Sequence, residues 1–240
     1  MLHRHLAGIS HWLGAALGAV PSQCAVCHAW PARRVCDACA TRFAQPQPRC
    51  ATCALPVPAG VARCGHCLTD PPPLDACLAA VDYGYPWAQA LADFKFRADP
   101  GWAPSLATLL RSTPWVEPAV EAADCLLPIP LSRQRMKERG FNQAALLARA
   151  LSPAKADAAS LLRTRATEAQ SGLPRKDRLR NLRGAFALEP ARAVRIAGRR
   201  VVLVDDVMTT GATLHAAARV LREAGAAHIT AVVVARTDSP

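Results

Sequence analysis

Residues Val201 to Leu214 read V-V-L-V-D-D-V-M-T-T-G-A-T-L, and their order decides the fold. Val201 to Val204 is an apolar, β-branched run with the length of a strand buried on both faces, closed by the adjacent carboxylates of Asp205 and Asp206. Thr209, Thr210, Gly211, Ala212 and Thr213 then offer consecutive backbone N–H groups and three hydroxyls. Gly211 lets the chain turn tightly, and a helix is predicted to begin immediately afterwards. Strand, hydroxyl-rich turn and helix N-terminus in this order make a cradle for a 5′-phosphate. The two carboxylates, one turn of loop away, suit a ribose diol or the waters of a bound magnesium ion, both of which want hard anionic oxygens. Other phosphate loops are excluded: the chain has no Gly-x-Gly for a dinucleotide fingerprint and no Gly-Lys-Ser/Thr for a Walker loop.

The 240 residues are enough for one sizeable core and a small satellite module, and 51% apolar with 20% charged residues describes a globular chain. Lys and Arg number 29 against 18 Asp and Glu, a balance of +11 that favours phosphate-bearing partners such as phosphoribosyl groups, pyrophosphate or nucleic acid. Leu2, Leu6, Ile9, Leu13, Ala16 and Val20 recur at three- and four-residue steps, which predicts an amphipathic helix over residues 1–21 rather than a signal peptide. Its apolar run falls short of the roughly 20 residues that span a bilayer. The expected location is the cytoplasm, with no transmembrane segment.

Residues 22–70 hold four Cys-x-x-Cys pairs: Cys24 and Cys27, Cys36 and Cys39, Cys50 and Cys53, Cys64 and Cys67. Each pair presents two thiolates to one metal, and two pairs complete a tetrahedral site with no position left open for catalysis, so the expectation is structural zinc in a double zinc-ribbon module. Pairing of adjacent knuckles gives the shortest closures, and crossed pairing stays open. A disulfide framework suits a reducing compartment less well. Asp70 to Pro73 forms a stiff break, after which residues 74–240 are expected to make an α/β domain with a mostly parallel sheet flanked by helices and its ligand at the strands' carboxyl ends. Strands are predicted at Leu78 to Tyr85, Leu126 to Leu131, Gly184 to Leu188 and Ile229 to Val234, and helices at Trp87 to Phe96, Gly101 to Arg111 and Asn142 to Ala150. Cys77 and Cys125 read as core residues.

Two basic stretches complete the pattern. Ser132 to Gln143 follows the prolines Pro128 and Pro130, and its Arg133, Arg135 and Arg139 suit a turn that meets an anion. Thr167 to Arg183 has no apolar periodicity and reads as a mobile loop in which Lys176, Arg178 and Arg180 could close over the site.

The Asp-Asp-x-x-Thr-Thr-Gly-x-Thr stretch resembles the fingerprint of type I phosphoribosyltransferases. Taken in order, the cysteine knuckles, Pro-Ile-Pro with Arg-Gly-Phe-Asn-Gln, the Gln170 to Asn181 segment and that fingerprint resemble the ComF family of competence-associated proteins over nearly the whole chain. The resemblance implies an N-terminal zinc module joined to a phosphoribosyltransferase-like domain, and a role in DNA uptake during natural transformation. It implies that Thr209 to Thr213 hold the 5′-phosphate of phosphoribosyl pyrophosphate, that Asp205 and Asp206 act at the ribose and magnesium, and that the arginines meet the pyrophosphate. Purine-salvage relatives carry an extra Asp in the phosphate loop where this chain has Thr209, which leaves no obvious base for a purine acceptor. The rival expectation is a non-catalytic protein that handles single-stranded DNA together with the competence machinery and uses the pocket as a ligand sensor. Aromatic residues make up only 5% of the chain, few for base stacking.

Overall fold

The computed structural model describes residues 22–164 and 184–238. The expected helix over residues 1–21 and the basic loop, with Lys176, Arg178 and Arg180, lie outside the described residues. The chain divides into two compact units at Arg42/Phe43.

In the larger unit, β1 (Ala76–Asp82), β2 (Cys125–Pro128), β5 (Arg200–Met208) and β6 (His228–Arg236) form a wholly parallel sheet in the order β1-β6-β5-β2. β3 (Leu161–Arg163) and β4 (Phe186–Leu188) make a separate antiparallel ribbon. Every residue of β6 after His228 is buried, which requires cover on both faces and explains the apolar run Ala231 to Ala235. The helices Gln143–Leu151 and Trp102–Arg111 pack on each other and on the sheet, while Ala212–Glu223 packs on β5, β6 and the β3–β4 ribbon. Ala212–Glu223 turns Leu214, Ala217, Ala218 and Leu221 inward, the face expected from their spacing, and Gly225 follows it at φ +83.

Two expectations are corrected. The central strand does not stop at Val204: β6 supplies partners as far as Asp205↔Val233, Val207↔Ala235 and Met208↔Arg236, so β5 runs through the acidic pair. On its other edge, pairing with β2 ends at Pro128↔Val204, and the last link is Ile129 N–H donating to the Val204 carbonyl at 2.9 Å. Asp205 and Asp206 therefore sit on an intact strand whose neighbour has already turned away, which opens a crevice at the carboxyl end of the sheet. The basic stretch after Pro130 is also not a turn but the helix Arg133–Arg139. Ser132 caps it by accepting from Arg135 N–H at 3.3 Å, and Gly140 ends it in the left-handed region at φ +77. With no buried residue of its own, that helix has no apolar periodicity to announce it.

Candidate functional site

Asp205 and Asp206 are successive residues of an extended strand, so their side chains leave on opposite faces. Asp206 is buried, and its Oδ1 lies 3.0 Å from Lys95 Nζ on the helix Trp87–Phe96. Asp205 is half-buried, and its Oδ1 accepts the Asp206 backbone N–H at 2.9 Å. Burial and the neighbouring Asp206 carboxylate push Asp205 up to about 7, only partly opposed by the positive charges of Lys95 and Arg163.

Cations converge on this pair. Lys95, Arg135 and Arg139 line a cleft of about 340 Å³ with Phe96, Ala98 and Glu138. Burial holds Arg139 below its ordinary value while Asp206 and Asp205 oppose the shift, and its guanidinium lies 5.3 Å from the Phe96 ring centre. The Arg-Gly-Phe-Asn-Gln run fixes Arg139 in place. Arg139 Nη1 donates to Gln143 Oε1 at 3.3 Å, and the buried Gln143 donates in turn to the Phe94 carbonyl at 3.4 Å. Asn142 accepts from Ala145 N–H as a helix cap and donates to the Ile129 carbonyl at 3.0 Å, which ties the basic segment to the end of β2. Arg133 is exposed and is not among the residues that line the cleft.

Past β5, Gly211 stands at φ +78 as the residue before the helix Ala212–Glu223. A Cβ there would lie 2.5 Å from Met208 Cε and 2.8 Å from His215 Nε2 on a left-handed backbone, so the turn strongly favours glycine. Thr210 Oγ1 accepts the Ala212 N–H at 3.4 Å, and the 12-residue helix turns its positive end toward the loop. The region thus holds hard oxygen ligands, a cationic cleft and a helix N-terminus, the chemistry needed for a phosphorylated sugar and its countercharge.

Two of these residues were not predicted. Lys95 ends an ordinary amphipathic helix, and Arg163 on β3 feels both Arg135 and Asp205. Only tertiary packing brings them to the acidic pair; the one available signal for Lys95 is its place in an otherwise apolar Phe94-Lys95-Phe96 triplet.

The cysteines gather into two groups, Cys24/Cys27/Cys36/Cys39 and Cys50/Cys53/Cys64/Cys67, each with its sulfurs within 4.8 Å of one another, so the adjacent knuckles pair and either group could hold a metal ion. The Cys27–Cys36 and Cys53–Cys64 sulfur separations are 3.6 Å and 3.7 Å, against about 3.8 Å for the edge of a tetrahedral zinc–thiolate site. Backbone N–H groups of Cys36 and Cys64 point at Cys24 Sγ and Cys50 Sγ at 3.4 Å and 3.3 Å. Burial alone would raise these two thiols, but the backbone donors outweigh it and lower both to about 6, the ionised form a metal requires. The groups differ in setting. Cys24 and Cys39 are the buried apolar side chains among described residues 22–42, whereas Cys50, Cys53 and Cys67 belong to the hydrophobic core that also contains Leu74, Cys77 and Met208. Cys77 is a buried thiol raised to about 12 by burial, as expected for a core cysteine; Cys125 is half-buried. Among the described residues no helix is long and apolar enough to cross a membrane.

The raised Asp205 carboxyl makes a testable contribution to stability. Its proton is held more tightly in the folded chain than in the unfolded one, so its stabilising effect is full below the ordinary value of 3.8 and is lost as pH rises through about 7. Urea midpoints measured between about pH 4 and pH 8 are expected to fall with pH more steeply for the parent than for Asp205→Asn, a difference on the order of a few kcal/mol over that range. Parallel profiles would mean that Asp205 titrates normally.

The family described as "Phosphoribosyl transferase domain" matches residues 140–240, which contain β5, the Gly211 turn and the following helix. The "DNA utilization protein YhgH" of Escherichia coli O6:H1 is 33% identical over 214 residues, covering 85% of this chain and 90% of that protein. The "Competence protein F" of Haemophilus influenzae is 34% identical over 76% of this chain and 82% of its own length. The "Competence protein ComFC" of Bacillus subtilis is 37% identical over 58% of this chain and 55% of its own.

Proposed function

We propose for this chain, which belongs to the ComF family, the binding of phosphoribosyl pyrophosphate or a related phosphoribosyl ligand with magnesium, in the service of DNA uptake. The observation that carries the reading is the meeting of Asp205 and Asp206 with Lys95, Arg139 and Arg163, with Arg135 in the same cleft as Lys95 and Arg139, on the strand that leads into the Gly211 turn. In this scheme the Thr209–Thr213 backbone holds the 5′-phosphate. Asp205 and Asp206 accept from the ribose hydroxyls and hold waters of magnesium, which would supply countercharge to the pyrophosphate when bound. Arg135, Arg139 and Lys95 meet the pyrophosphate oxygens, with Arg133 and, on the segment outside the described residues, Lys176, Arg178 and Arg180 as further anion contacts. Cations placed around a departing pyrophosphate are what transfer from such a donor demands, and no nucleophilic side chain is needed. The eight knuckle cysteines hold two structural zinc ions.

A second reading, a non-catalytic protein that handles single-stranded DNA and uses the same pocket as a sensor, is favoured by the names of the relatives and by the +11 balance. One set of titrations and assays separates the two. Calorimetry with phosphoribosyl pyrophosphate, with and without magnesium, is expected to give magnesium-dependent binding, and a turnover assay with bases and amines then decides whether the ligand is consumed. Binding without turnover, with single-strand affinity that falls steeply as salt rises, would select the sensor. Absence of any phosphoribosyl binding would remove both.

A further inference from the structure

Arg236, the last residue of β6, is 2% exposed, and its guanidinium joins two parts of the larger unit that the sequence keeps far apart. Its Nε donates to the Cys53 carbonyl at 2.8 Å, inside the second cysteine group. Its Nη1 donates to the Met208 carbonyl at 3.1 Å and also to the carbonyls of Thr209 and Thr237. Cys77, buried beside both, donates its backbone N–H to the Ala51 carbonyl at 2.8 Å and sets its sulfur 3.4 Å from Met208 Sδ. The second cysteine group is therefore built against the entrance to the phosphate loop.

We propose that Arg236 is a positioning residue that makes metal occupancy of the Cys50/Cys53/Cys64/Cys67 group a condition for an ordered phosphate loop, and that the Cys24/Cys27/Cys36/Cys39 group has no such effect. The inference rests on the phosphoribosyl reading of that loop. Its physical basis has two parts. A peptide unit is planar, with its carbonyl and the next N–H pointing in opposite directions, so holding the Met208 and Thr209 carbonyls fixes the Thr209 and Thr210 N–H groups. Cys53 is also a member of the second cysteine group, so an ion that holds its sulfur holds the carbonyl to which Arg236 Nε is bonded. Without the metal, that carbonyl is no longer held in place, and the guanidinium loses one of the fixed acceptors that orient it. The first group lies in the other compact unit.

Three full-length variants test this by hydrogen exchange, ribose 5-phosphate calorimetry and elemental analysis. Arg236→Lys keeps a charge but cannot span the Cys53, Met208 and Thr209 carbonyls together. It is expected to retain its zinc, to lose amide protection at residues 209–213 while β1 stays protected, and to bind ribose 5-phosphate about tenfold or more weakly. Cys64→Ser, which breaks the second group at its half-buried ligand, is expected to give the same local loss at residues 209–213, and Cys27→Ser none. Loop protection unchanged in both Arg236→Lys and Cys64→Ser would overturn the coupling. So would a loss spread evenly over β1, β5, β6 and the loop, which marks a merely structural role, or an equal effect from Cys27→Ser. Failure of the parent itself to bind ribose 5-phosphate would instead defeat the phosphoribosyl reading, and the exchange pattern would still report on the coupling.

Discussion

Replacing both Asp205 and Asp206 by Asn is expected to remove the magnesium-dependent part of phosphoribosyl pyrophosphate affinity, by about a hundredfold or more, while ribose 5-phosphate still binds. Asn keeps the shape and an acceptor oxygen but not the charge that holds a hydrated divalent ion. The sugar phosphate survives because its anion is assigned to the loop backbone, and loss of nearby negative charge favours an anion. The single changes should separate on stability. Asp206 forms an ion pair with Lys95 at 3.0 Å in which neither side chain is more than 18% exposed, so Asp206→Asn takes the contacting carboxylate from a largely buried ammonium and costs about 3 kcal/mol. Asp205→Asn removes a carboxylate crowded by its neighbour and should stabilise the chain above about pH 7. Calorimetric titration with donor plus magnesium, and with ribose 5-phosphate alone, measures the first contrast, and urea unfolding the second. Parent-like donor binding by the double variant would make the carboxylates structural.

How far the site could be read from the sequence depends on how local its causes are. Val201 to Val204, the Gly211 turn and the helix after it are written in residues adjacent in the chain, and the fold uses them together. The knuckle pairing was similarly accessible, since short closures favour the pairs the structure adopts. The true length of β5 was not, because the acidic pair looks like a strand end until β6 supplies partners on one side only. The helix Arg133–Arg139 escaped periodicity by burying nothing, although Ser132 and Gly140 marked both its ends. Lys95, Arg163 and Arg236 could not be found by any local rule. Each sits in an ordinary helix or strand, and each acquires its role from a segment tens of residues away. The same limit hid the difference between the two cysteine groups, built from the same Cys-x-x-Cys knuckles and unlike in what surrounds them.

Gly211→Val is expected to act opposite to the aspartate changes, abolishing ribose 5-phosphate and donor binding alike. At φ +78 a β-branched residue pays both for the left-handed backbone and for contact of its branches with the preceding turn. The added Cβ alone would approach Met208 Cε to 2.5 Å and His215 to 2.8 Å. A methionine end is normally able to move, but Met208 is 2% exposed and its sulfur lies 3.4 Å from Cys77 Sγ, which restricts where it can go. Relief is expected to draw on the backbone, by rotation of the peptide units between Met208 and Ala212, and those are the units whose N–H groups are proposed to hold the phosphate. Strain and overpacking together should cost about 3–5 kcal/mol of stability, and phosphate affinity should fall by about a hundredfold even at temperatures where the variant stays folded. Gly211→Ala meets the same backbone penalty without the branches and should fall between parent and Val. Because the change touches no carboxylate, magnesium should restore none of the lost affinity. Calorimetry with ribose 5-phosphate on the folded Val variant measures the loss, and parent-like binding would place the phosphate elsewhere than at this turn.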